Sequence, residues 1–429
     1  MNRALDTGSI GRFALARTRA RARWVVKGIR WAWKVSYKKV RSVWHGCRRS
    51  TEGVRNATIN TAKSCYRALR RPARAASRRQ AQIAERWRFY RIEWGIEHEI
   101  ERLVARDRLL IVGPWLSEVG FETLYWIPFL HWLEAAFHIN PDRVVAVSRG
   151  GVGGWYQGVA SRYIEIWDEM EAPEFARRNA ERGVTKHYEP SPLDRDILDI
   201  VARRIGTSDF DVVHPGLMYR LFTLYWSGQR AMGFMDAHLR FHTMAPPPEM
   251  IDPALLPKEY VAVKFYAARS MPDTPDVRAH LRSIVQSLSE RIPVVLLDTG
   301  LVLEDDHADY MFAASPAEAR SAKAAGRVVS ARSWMMPRNN LGVQTQIVAG
   351  AKAFVGTCGS IAWLAPRLGV DTSGLFVDPK WLHAHVAVAM RAYHRLNAGR
   401  FAIADLRAIN PLGSLGAVAP PPGHIDSRA

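Results

Sequence analysis

The chain has 429 residues, a formal charge of +19 and three cysteines, a length that suits two domains better than one large core. Cys47, Cys65 and Cys358 are odd in number and stand at no metal-ligand spacing, which excludes a disulfide framework and a zinc motif and points to a reducing, intracellular setting. No run of about 18 uncharged apolar residues is present, which excludes a bilayer-spanning helix, and Arg12, Arg17, Arg19, Arg21 and Arg23 interrupt any secretory leader at the start of this sequence.

The charge is concentrated. Residues 1–92 hold 25 Lys/Arg against three acids (Asp6, Glu52, Glu85), whereas the other 337 residues hold 35 against 38. A basic arm therefore precedes a near-neutral body. Within "RWVVKGIRWAWKVSYKKVRSVWHG", Val26, Ile29, Trp33, Tyr37, Val40 and Trp44 recur at steps of three and four on one helical face. Arg23, Lys27, Arg30, Lys34, Lys38 and Arg41 form the adjoining stripe. With Trp24, such an aromatic face bordered by cations suits the plane of an anionic membrane, where rings sit among the headgroups and each cation contributes about 1 kcal/mol. Peripheral attachment to the inner face of the plasma membrane through residues 20–45 is the expectation. Docking of the arm on the protein's own body, or a largely disordered arm, remains open. Nucleic acid ranks behind both, because the body has no basic excess and no helix-turn-helix, zinc-finger or RNA-recognition signature. Residues 67–87 continue the arm as Arg/Ala-rich helix former broken at Pro72.

From Leu109 the pattern alternates. "RLLIVG" and "RVVAVS" read as buried strands around the helix "FETLYWIPFLHWLEAAF", a βαβ unit and hence parallel sheet. Helices are expected at about 173–182 and 192–205, a strand at "DVVHP", and helix again through "GLMYRLFTLYW" and "AMGFMDAHL". The five prolines of 245–257 mark a linker. Beyond it strands are expected at 260–266, 293–298, "RVVS", 353–356 and 374–377, with helices at 274–290, 340–350, 360–368 and 381–396. Two α/β halves, 105–245 and 258–412, thus follow the arm, with a disordered tail at 413–429. Ligands of open parallel sheets bind beyond the carboxyl ends of the strands, so the chemistry is expected in a cleft between the halves.

Several stretches at strand ends carry candidate chemistry. Gly356, Thr357, Cys358, Gly359 and Ser360 form a strand-to-helix turn whose backbone N–H groups favour an anion such as a pyrophosphate, although any tight βα turn also needs small residues. Pro366 is expected to kink or shorten the helix that follows. Glu118 and Glu122 lie just past the first strand, where an acid serves either as a base or as a partner for the helix dipole. Arg149, Gly150 and Gly151 begin a glycine-rich loop suited to an acceptor or to a plain mobile turn. Lys264 and Arg269 follow the first strand of the second half, Asp298 ends the next strand and Gln344 stands at the start of a following helix, all near the strand ends where a ligand is expected. Asp305, Asp306 and His307 are adjacent and cannot all face one ion, and His383 and His385 fall on different faces of a helix, so no metal is expected.

"NNLGVQTQIVAGAKAFVGTCGSIAWLAPRLGV" resembles the last sheet segment of GT-B glycosyltransferases of the heptosyltransferase-like and fucosyltransferase-like kinds, and "VGFETLYWIPFL" is similar to the Gly-Asp turn and Pro-bearing helix of heptosyltransferases. The likeness spans residues 107–400 in architecture and about 60 residues in motif. It implies two Rossmann-like domains facing a cleft, a nucleotide-sugar donor, a glycan or lipid-linked acceptor and no cofactor. It further implies that Lys264, Arg269 and the 356–360 turn hold the leaving diphosphate. By the count back from Pro128, Glu122 takes the place of the catalytic acid; the extra residue after Gly120 leaves Glu118 as an equal choice. The alternative is a GT-B-like body without catalysis that serves as an interaction platform.

Overall fold

The computed structural model describes residues 87–182, 187–245, 249–301, 309 and 327–409, together with 60, 63–64 and 83–85. The expected membrane-arm residues Trp24, Lys27, Arg30, Trp33, Lys34, Lys38 and Trp44, the loop residues Asp305, Asp306 and His307, and the tail at 413–429 lie outside the described residues. By its contacts the chain divides into Met1–Arg88 and Phe89–Ala429, and both sheets belong to the second unit. Among the described residues no helix is long and apolar enough to cross a membrane.

Residues 89–104 form helix α1, which buries Ile96, Ile100 and Val104 and pairs Glu99 with Arg220 and Glu97 with His238. The first sheet contains β1 (Leu109–Val112), β2 (Val144–Ser148), β3 (Arg162–Glu165) and β4 (Phe210–Val213) in the order β3-β2-β1-β4, all parallel. In β1 and β2 continuous apolar runs give strands buried on both faces, as the centre of a parallel sheet between helix layers requires. Between β1 and β2 runs α2, which begins at Val119–Phe121, passes through a π-helical turn at Glu122–Trp126 and ends at Ile127–Phe137. Next come α3 (Ala172–Glu181), α4 (Pro192–Ile205), α5 (Pro215–Trp226) and α6 (Met232–His238). Capping fixes several boundaries: Ser191 and Asp194 form a reciprocal box at the start of α4, and Gly206 closes it in the left-handed region at φ 77°.

The second sheet contains β5 (Val261–Lys264), β6 (Val294–Leu296), β7 (Val328–Ser330), β8 (Ala353–Thr357), β9 (Thr372–Phe376) and β10 (Phe401–Asp405). Its order is β10-β9-β8-β5-β6-β7, again all parallel. Read from β7 this is 3-2-1-4-5-6, the doubly wound dinucleotide-binding order, and the first sheet is its 3-2-1-4 portion. Its helices are α7 (Pro275–Ser289), α8 (Asn340–Ala349), the single turn α9 (Ile361–Leu364) and α10 (His383–Leu396). Pro366 converts the rest of the expected 360–368 helix into a 3-10 turn at Ala365–Leu368.

The expectation of separate cores is corrected. The largest buried cluster is continuous across both halves and joins Leu124, Phe129 and Phe222 to Val343, Ile347, Trp363 and Leu364. Smaller clusters cover one far face of each sheet. Polar ties cross at the same place: the Trp155 indole donates to Thr345 Oγ1 at 3.1 Å, and Arg367 donates to the Thr123 carbonyl at 3.1 Å. Thr123 lies in the π-helical turn and is fully buried, so a fully buried arginine of the second half donates to a main-chain carbonyl of the irregular helix. The halves are fused about α2, α8 and α9 and face a common cleft.

Candidate active site

In a sheet of order 3-2-1-4 the crevice opens beyond the carboxyl ends of the first and fourth strands, where successive connections leave in opposite directions. In the second sheet these strands are β5 and β8. A cleft of about 510 Å³ lies there, lined by Lys264, Tyr266 and Arg269 after β5 and by Cys358, Gly359 and Ser360 after β8. Its opposite wall comes from the first half, where Glu118, Gly120, Phe121 and Tyr125 follow β1. The shared crevice that the sequence implies is therefore present.

Gly356 and Thr357 support the turn from within the sheet. Thr357 Oγ1 donates to the Tyr266 carbonyl and accepts its N–H, each at 3.1 Å, which ties the two switch-point strands together. A Cβ on Gly356 would stand 2.5 Å from the Lys264 carbonyl, and one on Gly359 (φ 140°) 2.4 Å from the Tyr266 hydroxyl. Ser360 adopts φ 41°, ψ −117°, a strained conformation for a side chain of its kind. The first bonds of α9 run from Ala362 and Trp363 to the Gly359 and Ser360 carbonyls. Among the described residues the N–H groups of Gly359, Ser360 and Ile361 meet no acceptor of the chain. Those donors remain, but a one-turn helix supplies little of the expected dipole. Cys358 is buried beneath the turn, and burial pushes its thiol up to about 12.

Lys264 does not stand as an unanswered cation. Its Nζ lies 3.1 Å from Asp309 Oδ1 and 3.2 Å from the Leu297 carbonyl. Burial opposes ionisation of Asp309, but Lys264 and the Thr299 N–H and hydroxyl outweigh it and hold the carboxyl below its usual range. Arg269 lies over the Trp381 ring at 5.3 Å on the cleft lining. Gln344 also lines the cleft. Its Nε2 donates to the Asn340 carbonyl, while Oε1, buried, has no partner among the described residues. Asp298 sits outside the lining, where Ser330 donates to it at 2.7 Å and burial raises its carboxyl; its neighbour Thr299 faces the cleft.

The two candidate acids separate. Glu118 lines the cleft at the mouth of α2. Glu122 is fully buried in the π-helical turn and does not line it; Ser148 and Tyr156 both donate to its Oε1 at 2.6 Å. Arg149, Gly150 and Gly151 do not line the cleft either. The Arg149 guanidinium is buried and donates to the Trp115 and Ser117 carbonyls, and the Glu165 carboxylate collects the Gly150 and Gly151 N–H groups at 2.9 and 2.7 Å. The expected acceptor loop is a pinned turn that meets α8 through Gly342 N–H and the Gly150 carbonyl.

Three lining groups escaped the sequence reading: Asp309, Tyr125 and His385, the last two joined by a 2.6 Å hydrogen bond between the phenol and Nδ1. They meet only through long-range contacts, so no local spacing signals them. His187, Asp194 and His214 also converge, away from the cleft, with Asp194 Oδ1 2.7 and 3.1 Å from the two Nε2 atoms. The Gly216 N–H donates to His214 Nδ1 at 3.0 Å, so that ring carries its proton on Nε2 and donates it to Asp194. A metal would need that same nitrogen, and these residues therefore fit a hydrogen-bonded cluster better than a metal centre.

The chain matches no family model and is similar to none of the curated proteins. Among solved structures it is similar to the ADP-heptose lipopolysaccharide heptosyltransferase II of E. coli, at 12% identity over 63% of this chain and 86% of that one, with a TM-score of 0.36. It is similar to a glycosyl transferase family 9 protein of Veillonella parvula at 11% identity, over 70% and 85%, with a TM-score of 0.35. An E. coli heptosyltransferase with ADP gives 15% identity, 69% and 93% coverage and a TM-score of 0.34. At such identities and TM-scores the likenesses decide nothing about chemistry, which rests on the cleft itself.

Proposed function

We propose that the chain is a metal-independent glycosyltransferase that moves a sugar from a nucleotide-sugar donor to an acceptor of a cell-surface or extracellular glycan. The observation that carries this reading is the single cleft in which Glu118, after β1, faces the switch point of the second sheet with its 359–361 N–H groups and Arg269. In this reading Glu118 takes the proton of the acceptor hydroxyl as the new C–O bond forms. The bond from the sugar to the diphosphate breaks, and the electron pair leaves with the diphosphate, whose charge the turn and Arg269 receive. Gln344 Oε1 accepts from a sugar hydroxyl. Melting shifts with ADP, GDP, UDP and CDP, followed by hydrolysis of the matching nucleotide-sugars, test it; the absence of stabilisation by all four overturns it.

The arm belongs to the same reading as an attachment to the inner leaflet, supported by the charge and aromatic spacing of residues 20–45. Flotation with anionic vesicles should fall when Lys27, Arg30, Lys34 and Lys38 are all changed to Glu in the full chain. Unchanged flotation refutes the attachment. The second reading, a binding platform without catalysis, draws on the Lys264–Asp309 pair, which leaves less net positive charge for a diphosphate. Nucleotide binding without hydrolysis or transfer would favour it.

A further inference from the structure

Helices α6 and α10 enclose a second hollow, of about 210 Å³, apart from the cleft. Its apolar lining comes from both: Met232, Met235 and Leu239 on the α6 side, Val388, Ala392 and Leu396 on α10. Met235, Leu239, Val388 and Ala392 are buried and form the floor, whereas Met232 and Leu396 are half-buried. The two walls are tied to each other. Asp236 of α6 accepts from Arg391 Nε at 2.9 Å and from Arg395 Nη1 at 2.8 Å, both on α10.

Charge at the rim is one-sided. Arg240 and Arg395 line the hollow and are exposed, and among the described lining residues Asp236 is the one acid. That carboxylate already answers Arg391 and Arg395, while Arg240 meets no acid among the described residues. An apolar floor beneath surplus cations suits a hydrocarbon chain that ends in an anion: burial gains with every methylene, and a guanidinium takes a phosphate as a bidentate fork. A neutral chain would leave Arg240 unused, and a bare phosphate would leave the floor uncovered. An amphipathic peptide helix needs anchors over several successive turns, more than a hollow of this size receives.

We propose that this hollow binds, one molecule per chain, the hydrocarbon chain of a phosphate-headed lipid, with Arg240 at the phosphate. Its position bears on the cleft. His385, which lines the cleft, and Val388, Ala392 and Leu396, which line the hollow, recur at steps of three and four, so both sites lie along one face of α10. From His385 to Ala392 is about 10 Å along the helix axis. A lipid-linked acceptor held by its chain in the hollow would therefore have its sugar within reach of the cleft. That role rests on the functional reading above, whereas the lipid site stands on its own residues.

The test titrates octyl, decyl and dodecyl phosphate, each below its aggregation concentration, into the full chain by calorimetry, with decyl glucoside as the neutral counterpart. One site is expected, with affinity rising about 3- to 4-fold per methylene until the hollow is filled. Arg240→Gln should weaken decyl phosphate about 5-fold and leave decyl glucoside unchanged. Met232→Glu should abolish binding of the phosphates at an unchanged melting temperature, since an acid in the first turn of α6 suits the helix dipole. Met232→Leu should bind as the wild type does. In NMR of carbon-13 methyl-labelled methionine, octyl phosphate should shift Met232 and Met235. Absence of binding, affinity that ignores chain length, several molecules per chain, or wild-type affinity in Met232→Glu overturns the proposal. If the phosphates do not bind and Met232→Glu splits a dimer in sedimentation, the hollow belongs to a second copy of the chain instead. Saturating decyl phosphate should leave the affinity for ADP, GDP, UDP or CDP unchanged; competition would place the amphiphile in the cleft and refute the site. If none of the four nucleotides binds the wild type, the acceptor role falls with the functional reading, and the alkyl phosphate titration still decides the lipid site.

Discussion

A Cβ built on Gly120 would stand 2.9 Å from the backbone nitrogen of Ser360 and 3.3 Å from the Trp363 ring. The start of α2 thus touches the 356–360 turn backbone to backbone, and this contact closes the cleft between the two switch points. Gly120→Ala is expected to cost about 1–3 kcal/mol, because the nearest atom is main chain and cannot swing away. It should also weaken nucleotide binding by moving the turn. Gly95→Ala is the control: nothing lies within 4 Å of its added Cβ in α1, and a helical alanine is favoured by about 1 kcal/mol. Denaturant unfolding of the two variants checks the contrast, and equal midpoints would remove the claim of contact.

Lys264 and Asp309 are 10% and 11% exposed in their side chains and meet at 3.1 Å. Removing one partner of so buried a pair strands the other charge, typically at about 3–5 kcal/mol. Lys264→Met should therefore destabilise strongly, and Lys264→Met with Asp309→Leu should regain most of the loss. Urea midpoints of the single and double variants measure this. A double variant no more stable than the single would show that the pair is not what Lys264 contributes. The comparison also matters for function, since a single lysine variant that fails to bind nucleotide has lost a fold element as well as a cation.

Much of this architecture was legible because parallel strands buried on both faces read as unbroken apolar runs: "LLIV", "VVAVS" and "VAVK" could hardly be anything else. β3 and β10 were missed because they are sheet-edge strands in which polar or small residues break the run, as in "RYIE" and "FAIAD". The fused core was missed because "IPFLHWLEAAF" reads as an ordinary amphipathic helix until residues of the other half cover it. Glu118 and Glu122 were inseparable by counting. The π-helical turn shifts the helical phase after Phe121 and points Glu122 at Ser148 and Tyr156, and no sequence period encodes that shift. Asp309 and His385 reach the cleft from loops and helices far along the chain, which single-sequence spacing does not report.

Burial lowers the His187 imidazole to about 4, against its bonds to Asp194, and burial with Arg367 nearby lowers His131 to about 3. Both rings stay neutral in the fold while the unfolded chain protonates them near 6.5. The unfolded state then binds more protons below that pH, and stability falls as pH drops from about 6.5 toward 4. The slope approaches about 1.4 kcal/mol per pH unit for each histidine. Asp194 works at lower pH: burial opposes its ionisation, His187 and His214 outweigh that, and its contribution is lost only below the ordinary carboxylate range. Urea midpoints at pH 7, 6 and 5 should decline together; a flat series would show that the two rings are not held neutral.

Glu118 lines the cleft, whereas Glu122 is sealed behind it with two hydroxyl donors. If Glu118 is the base, Glu118→Gln should lower the rate of transfer about 10²- to 10⁴-fold while the melting temperature and nucleotide affinity stay near those of the wild type. Glu122→Ala should do the reverse. Two buried hydroxyls lose their acceptor, at a cost of about 1–3 kcal/mol each, and the fraction that remains folded should turn over at close to the normal rate. Turnover measured against melting temperature for the two variants separates the roles. A Glu122 variant of normal stability without turnover, beside an active Glu118→Gln, would move the catalytic base into the π-helical turn.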